Sequence, residues 1–192
     1  DRTKHYYVVF GSIAQRGSVY LNGIEIATIR VSSLPVTVEL PSAEVIAGSN
    51  ELKVVLTNEA SLVDIPYMQA FNVYGGLDRT VSLISTGRLF FDHEEYGSKR
   101  CKITGIVDTR TIHVDLKVNN IYTSGLTGSV RIKTYIGSGT TVITELEDTT
   151  LSVNAESIAT LGYNLEIPIG SFHLWDGRNG PVVHRVEIEL YN

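Results

Sequence analysis

Residues 18–29 read SVYLNGIEIATI. Val19 and Leu21 stand before Asn22-Gly23, and Ile24 and Ile26 stand after it, so apolar and polar residues alternate on both sides of the pair. Asn-Gly tolerates the positive φ angles that a two-residue hairpin demands, which makes this stretch two antiparallel strands. The next strand signal, NELKVVLTN at 50–58, sets Leu52, Val54 and Leu56 against Lys53, Val55 and Thr57, the pattern of a strand with one buried face. In AFNVYGGLDRTVSLI, residues 70–84, Val81 and Leu83 alternate with Ser82 and Ile84 after a double glycine. Pro41 to Asn50, PSAEVIAGSN, is expected to form a helical turn closed by Gly48, a cap between strands.

After residue 90 the chain becomes polar and aperiodic, FDHEEYGSKRCK, and a domain boundary is expected there. Beyond it TIHVDLKVNN, SVRIKTYI, TTVITELE, TTLSVNA, LGYNLEIPI and HRVEIELYN read as strands about ten residues apart, with GSG and DGRNG as turns. That spacing predicts an immunoglobulin-like sandwich of about seven strands over 97–192. The first block, 1–90, is also all β but offers few strands for a sandwich, which needs both faces of its core covered. It reads as the later part of a larger sandwich whose first strands lie upstream. The expected fold class is therefore all-β, with two β-sandwich domains.

With 192 residues, 43% apolar and 19% charged, the chain has the composition of a folded globular protein. A net charge of −5 without clustered Lys and Arg argues against nucleic acid or an anionic membrane as a partner. No apolar run approaches the length of a membrane span. The lone Cys101 makes no internal disulfide and leaves the compartment open. The chain starts at Asp1, without a signal peptide, and reads as an excised piece.

Candidate chemistry is sparse. The histidines His5, His93, His113, His173 and His184 show no metal-ligand spacing, and His113 and His184 fall on solvent-facing strand positions. Asp92, Glu94 and Glu95 form the most suggestive carboxylate group, but adjacent acids in a polar linker are ordinarily solvated. Glu187 and Glu189 are outward positions of the last strand. Lys99, Arg100 and Lys102 beside Cys101 would lower its pKa, yet it lacks a histidine partner. No catalytic residue, metal site or cofactor is assigned. What is left is a set of aromatics and amides suited to carbohydrate. Tyr67, Phe71, Tyr74 and Trp175 offer faces for the C–H side of a sugar ring, and Gln69 and Asn72 offer hydrogen bonds to hydroxyls. The competing reading buries Phe71 and Trp175 in cores, Trp175 as the anchor of the second sandwich, and has Tyr74 brace a corner.

Three segments in order, HYYVVFGSIAQRGSVYLNGIEIA, VIAGSNELKVVLTN and FNVYGGLDRTVSLI, resemble the sugar-binding domain of glycoside hydrolase family 2. The family's V-x-x-N-G hairpin corresponds to Val19–Gly23, its G-x-N-x-L-x-V strand to Gly48–Val54, and its G-G-I-x-R-x-V-x-L segment to Gly75–Leu83. FHLWDGRNGPVVHRVEIEL, residues 172–190, is similar to the end of the family's immunoglobulin-like domain. The resemblance implies a partial jelly-roll, galactose-binding-like sandwich followed by an immunoglobulin-like one. It also implies a catalytic (β/α)₈ barrel of the same polypeptide beyond Asn192, and no hydrolysis by this chain alone. The implied role is a non-catalytic accessory region of a β-galactosidase-like bacterial enzyme that binds a β-galactoside-like glycan, compatible with a periplasmic or extracellular location. Gln69, Phe71, Asn72 and Tyr74 are the implied substrate-binding residues, on a rim before the Gly75-Gly76 corner. Ala70 stands where β-galactosidase-like relatives carry a sugar-binding aspartate, Arg30–Val36 departs from the family's G-G-Y-x-P-F, and Thr80 replaces the aspartate of R-D-V. The rival readings are a free-standing carbohydrate-binding or cell-surface adhesion module and a purely structural spacer.

Overall fold

A computed structural model of the chain describes residues 4–30, 34–59, 75–93 and 101–192. It is built of strands in two compact units, Asp1–Gly87 and Arg88–Asn192.

The first unit contains β1 (Tyr6–Phe10), β2 (Arg16–Leu21), β3 (Ile24–Ile29), β4 (Val36–Leu40), β5 (Leu52–Thr57) and β6 (Val81–Ser85). They form two three-stranded antiparallel sheets, ordered β4-β1-β6 and β3-β2-β5. The core takes Val8, Phe10 and Val38 from one sheet, Val19 and Ile29 from the other, and Ile13 between β1 and β2. The hairpin that opened the sequence reading joins β2 to β3, with Asn22 at φ 51° and Gly23 at φ 88°, both positive as a type I′ turn requires. Asn22 also ties the turn to its surroundings. Its Nδ2 donates to Glu44 O at 2.7 Å, and its Oδ1 accepts from Glu51 N at 2.9 Å. Gly23→Val would force a β-branched residue to positive φ, which costs about 1 to 2 kcal/mol. The expected outcome is a lowered melting temperature; an unchanged one would refute the turn.

Pro41–Asn50 forms turns rather than a regular helix, with Glu44 N and Val45 N both donating to Pro41 O and Gly48 at φ 96°. Its link to the hairpin is Asn50, whose Oδ1 accepts from Ile46 N at 2.9 Å and from Asn22 Nδ2 at 3.0 Å.

The second unit contains β7 (Leu89–Phe91), β8 (Cys101–Ile106), β9 (Thr111–Asn120), β10 (Leu126–Ile136), β11 (Thr144–Val153), β12 (Ser157–Glu166) and β13 (His184–Tyr191). One sheet is centred on β9, which pairs with β12, β7 and β8, and the other runs β11-β10-β13. β9 shows the strict alternation its sequence predicts. Ile112, Val114, Leu116 and Val118 are buried among Val130 and Ile132 of β10 and Leu151 and Val153 of β11, while Thr111, His113, Asp115 and Lys117 stand on the other face. Gly128 is required where β10 passes β13, because a Cβ there would lie 2.4 Å from Tyr191 O.

Several local expectations are corrected. β7 pairs with β9, so residues 89–90, read as the end of the first block, belong to the second unit. Asp92 and His93, read as the start of a polar linker, are buried; Asp92 N donates to Lys117 O at 2.9 Å and His93 stacks on Phe90. Residues 101–106 form a strand that was not expected, and TTVITELE with TTLSVNA contributes one long strand, β11, rather than two. Trp175 does not anchor the core. It is 67% exposed, directly before the bridge-and-turn segment Asp176–Gly180 that precedes β13.

Candidate functional site

The residues expected to bind sugar, Gln69, Phe71, Asn72 and Tyr74, lie outside the described residues, as do Tyr67, Ala70, Glu94 and Glu95. The stems that would carry the sugar-facing rim are described. Gly76 sits at φ 121°, a conformation open to glycine, and its carbonyl accepts from Ala14 N at 2.9 Å. The approach into β6 is held from the other side by Gly11, whose amide donates to Thr80 O at 2.9 Å and where a Cβ would lie only 2.8 Å from that of Arg79. The chain is thus pinned at Gly76 and Thr80 before it enters its strand.

The titratable groups of the second unit are arranged as strand-surface pairs. On β9 and β12, His113 Nδ1 lies 2.7 Å from Asn164 Oδ1 and Nε2 lies 3.0 Å from Asp115 Oδ1. Both partners accept, so the doubly protonated ring is favoured and the pKa is raised, first by Asn164 and then by Asp115. Asp148 accepts from Thr150 Oγ1 at 2.7 Å, Thr150 N at 2.8 Å and the Tyr163 hydroxyl at 2.8 Å, which holds its carboxyl low. Glu189 pairs with Lys133 and Glu187 with Arg185, each at 3.0 Å. These are cross-strand and same-strand contacts that brace sheets. Cys101 packs against the core, and burial raises its thiol pKa, contrary to the expectation that flanking cations lower it. Among the described residues, no three His, Cys, Asp or Glu side chains converge as a metal site would require.

One concave feature of the second unit gathers residues that sequence reasoning did not bring together. A cleft of about 240 Å³ is walled by Ile103, Ile106, Val107, Phe172 and Leu174, with Arg110, His173 and His184 at its polar side. Of these, Ile103, Ile106, Val107 and Leu174 are exposed, as is Trp175, the chain neighbour of Leu174. Arg110 Nη2 donates to Glu166 Oε1 at 3.0 Å, and His184 Nε2 lies 3.2 Å from His173 O. Exposed apolar residues grouped in this way form an interaction-prone patch. Only Leu174-Trp175, conspicuous in the sequence, pointed toward it.

No family model matches the chain. A β-glucuronidase of Bacteroides fragilis is 24% identical over 190 residues, spanning 98% of this chain but 27% of the relative. Among solved structures, β-glucuronidase 2 of Bacteroides uniformis superposes with a TM-score of 0.86 at 19% identity, over 100% of this chain and 23% of that one. A glycosyl hydrolase family 2 member from Bacteroides cellulosilyticus gives 0.73 at 20% identity, over 99% and 24%. The resemblance is to glycoside hydrolase family 2. The all-β, two-sandwich fold is shared with parts of these enzymes along almost the whole of this chain. The chain spans about a quarter of the length of the relatives it matches.

Proposed function

We propose that the chain serves a family 2 glycosidase as a non-catalytic region that buttresses the catalytic barrel and lends residues 64–74 to sugar binding. The observation that carries this reading is the match of nearly the entire chain to about a quarter of much longer glycosidases. The exposed Ile106, Val107 and Leu174 at the cleft, with the exposed Trp175 next to Leu174 in the chain, support it, since they offer the rest of such an enzyme a surface to rest on. Relatives described as β-glucuronidases point to a uronate, and the sequence resemblance to β-galactosidase-like enzymes points to a neutral galactoside, which leaves two sugar classes.

The test is an assay of residues 1–192 and of the complete polypeptide on paired aryl β-galactosides and aryl β-glucuronides. The isolated residues should give no turnover and the complete polypeptide should hydrolyse one of the two. Turnover by residues 1–192 alone would overturn the accessory role. A reading frame that stops near residue 192, together with sugar binding in calorimetry, would establish the free-standing module instead.

A further inference from the structure

The chain holds two Asn-Gly pairs, Asn22-Gly23 and Asn179-Gly180. An asparagine followed by glycine carries a slow reaction of its own. The glycine amide nitrogen, unshielded by a side chain, attacks the asparagine Cγ. The N–Cγ bond forms, the Cγ–Nδ2 bond breaks, and Nδ2 leaves as ammonia with the proton that the amide gives up. Water then opens the cyclic imide to aspartate or isoaspartate. No catalyst is needed, but the side chain must be free to swing onto the next amide. The hydrogen bonds at each pair therefore govern how fast it reacts.

The two pairs are held very differently. Asn22 is half-buried, and its amide is engaged from both ends. Nδ2 donates to Glu44 O at 2.7 Å and to Asn50 Oδ1 at 3.0 Å, and Oδ1 accepts from Glu51 N at 2.9 Å. Asn50 is itself fixed to its loop, since its Oδ1 accepts from Ile46 N at 2.9 Å and its Nδ2 donates to Ile46 O at 3.0 Å. Moving Asn22 onto the Gly23 amide breaks all three of its side-chain bonds.

Asn179 is exposed, and among the described residues its side chain makes no hydrogen bond. Its turn is held by backbone alone. Asp176 O accepts from Asn179 N at 2.9 Å and from Gly180 N at 3.1 Å, and Asp176 N donates to Gly180 O at 2.8 Å. Attack at Asn179 costs only the longer bond of that shared carbonyl.

We propose that Asn179 is a site of spontaneous deamidation and that Asn22, in the same dipeptide, is protected by its tethers to Glu44, Asn50 and Glu51. Three bonds against one, each at its ordinary net value, slow Asn22 by roughly tenfold or more relative to Asn179. Conversion at Asn179 adds a carboxylate to a turn that already holds Asp176 and directly follows the exposed Trp175. Isoaspartate also reroutes the backbone through the side-chain methylene, so the approach to β13 changes in path as well as charge. At Asn22 the same product would set a carboxylate against two acceptors, Glu44 O and Asn50 Oδ1, which disfavour it. The inference does not depend on the accessory role.

The experiment is peptide mapping by mass spectrometry of the 192-residue chain incubated at mildly alkaline pH, folded and in concentrated urea. Dividing each site's folded rate by its rate in urea removes the influence of neighbouring residues and leaves that of the structure. Folding should slow Asn22 at least about tenfold more than it slows Asn179. Equal slowing, or stronger slowing at Asn179, would overturn the proposal. Asn50→Ala removes one of the three tethers and should speed Asn22 by at least about threefold while leaving Asn179 unchanged. An unchanged rate at Asn22 in that folded variant would overturn the tethering. Should the variant not fold, the comparison on the unaltered chain decides alone.

Discussion

Asn120→Ala is expected to lower the unfolding free energy of the second unit by about 2 to 4 kcal/mol, read from the midpoint of urea denaturation. Asn120 ends β9 on its buried face, continuing the row of Ile112, Val114, Leu116 and Val118, and no part of it reaches solvent. Its amide is used from both ends. Nδ2 donates to Ser124 O at 2.8 Å, Asn154 O at 2.9 Å and Val153 O at 3.1 Å, and Oδ1 accepts from Tyr122 N at 2.9 Å. One side chain thus joins the end of β9, the turn into β10 and the end of β11, three segments from two different sheets. Alanine would remove the donors and leave these backbone groups buried without a substitute, and that unmet desolvation outweighs the modest value of a hydrogen bond in itself.

Asn119→Ala is the matched control, since its neighbour on the other face of β9 should cost less than about 0.5 kcal/mol. Asn120→Asp adds a sign. A carboxylate among three carbonyl oxygens is disfavoured in its charged form, so its folded pKa would be raised above the unfolded value. The variant should be least destabilised at low pH and lose further stability as pH rises through the ordinary carboxylate range. A loss under 1 kcal/mol for Asn120→Ala, or no pH dependence for Asn120→Asp, would mean that water replaces the amide and that the sandwich end is open.

This residue marks where sequence reading stops. The alternation of TIHVDLKVNN is visible in the chain and predicts β9 to the residue, because a two-residue period needs only one covered face to be meaningful. Asn22-Gly23 is equally legible, since the turn's demand for two positive φ angles restricts the residues that can fill it. The same alternation places Asn120 inside, but its partners lie 4, 33 and 34 residues away, and no local pattern specifies them. β8 was missed for a related reason: Ile103 and Ile106 are exposed, so CKITGI lacks the apolar-in, polar-out contrast on which a strand reading rests. TTVITELE and TTLSVNA, read as two strands, meet at Asp148, yet Asp148 satisfies the amide of Thr150 from within the strand, beside the register shift between Gly128 and Val130 of the partner strand. The expected sugar-binding residues, Gln69, Phe71, Asn72 and Tyr74, were legible through the family resemblance, and none of them lies among the described residues.

Trp175→Ala should cost residues 1–192 less than about 1 kcal/mol but the complete polypeptide about 2 to 4 kcal/mol. The sequence alone favours a buried tryptophan, since an aromatic of this size brings more apolar area into a core than any other residue. Its exposure of two thirds reverses that expectation for the second unit, where its removal strips little from the interior. Leu174, its chain neighbour, lines the cleft with Ile106 and Val107, and all three are exposed as well, so the tryptophan adjoins an apolar surface. A surface of that kind acquires its stabilising value when a second body covers it, and the proposed barrel is such a body. The two contexts therefore separate the explanations. A large loss in both would place Trp175 in a core after all, and a small loss in both would leave the ring free in the assembled enzyme, available as a sugar platform. A loss confined to the complete polypeptide, with the aryl glycosidase activity falling as the interface loosens, is the pattern that an accessory region bearing on a barrel produces.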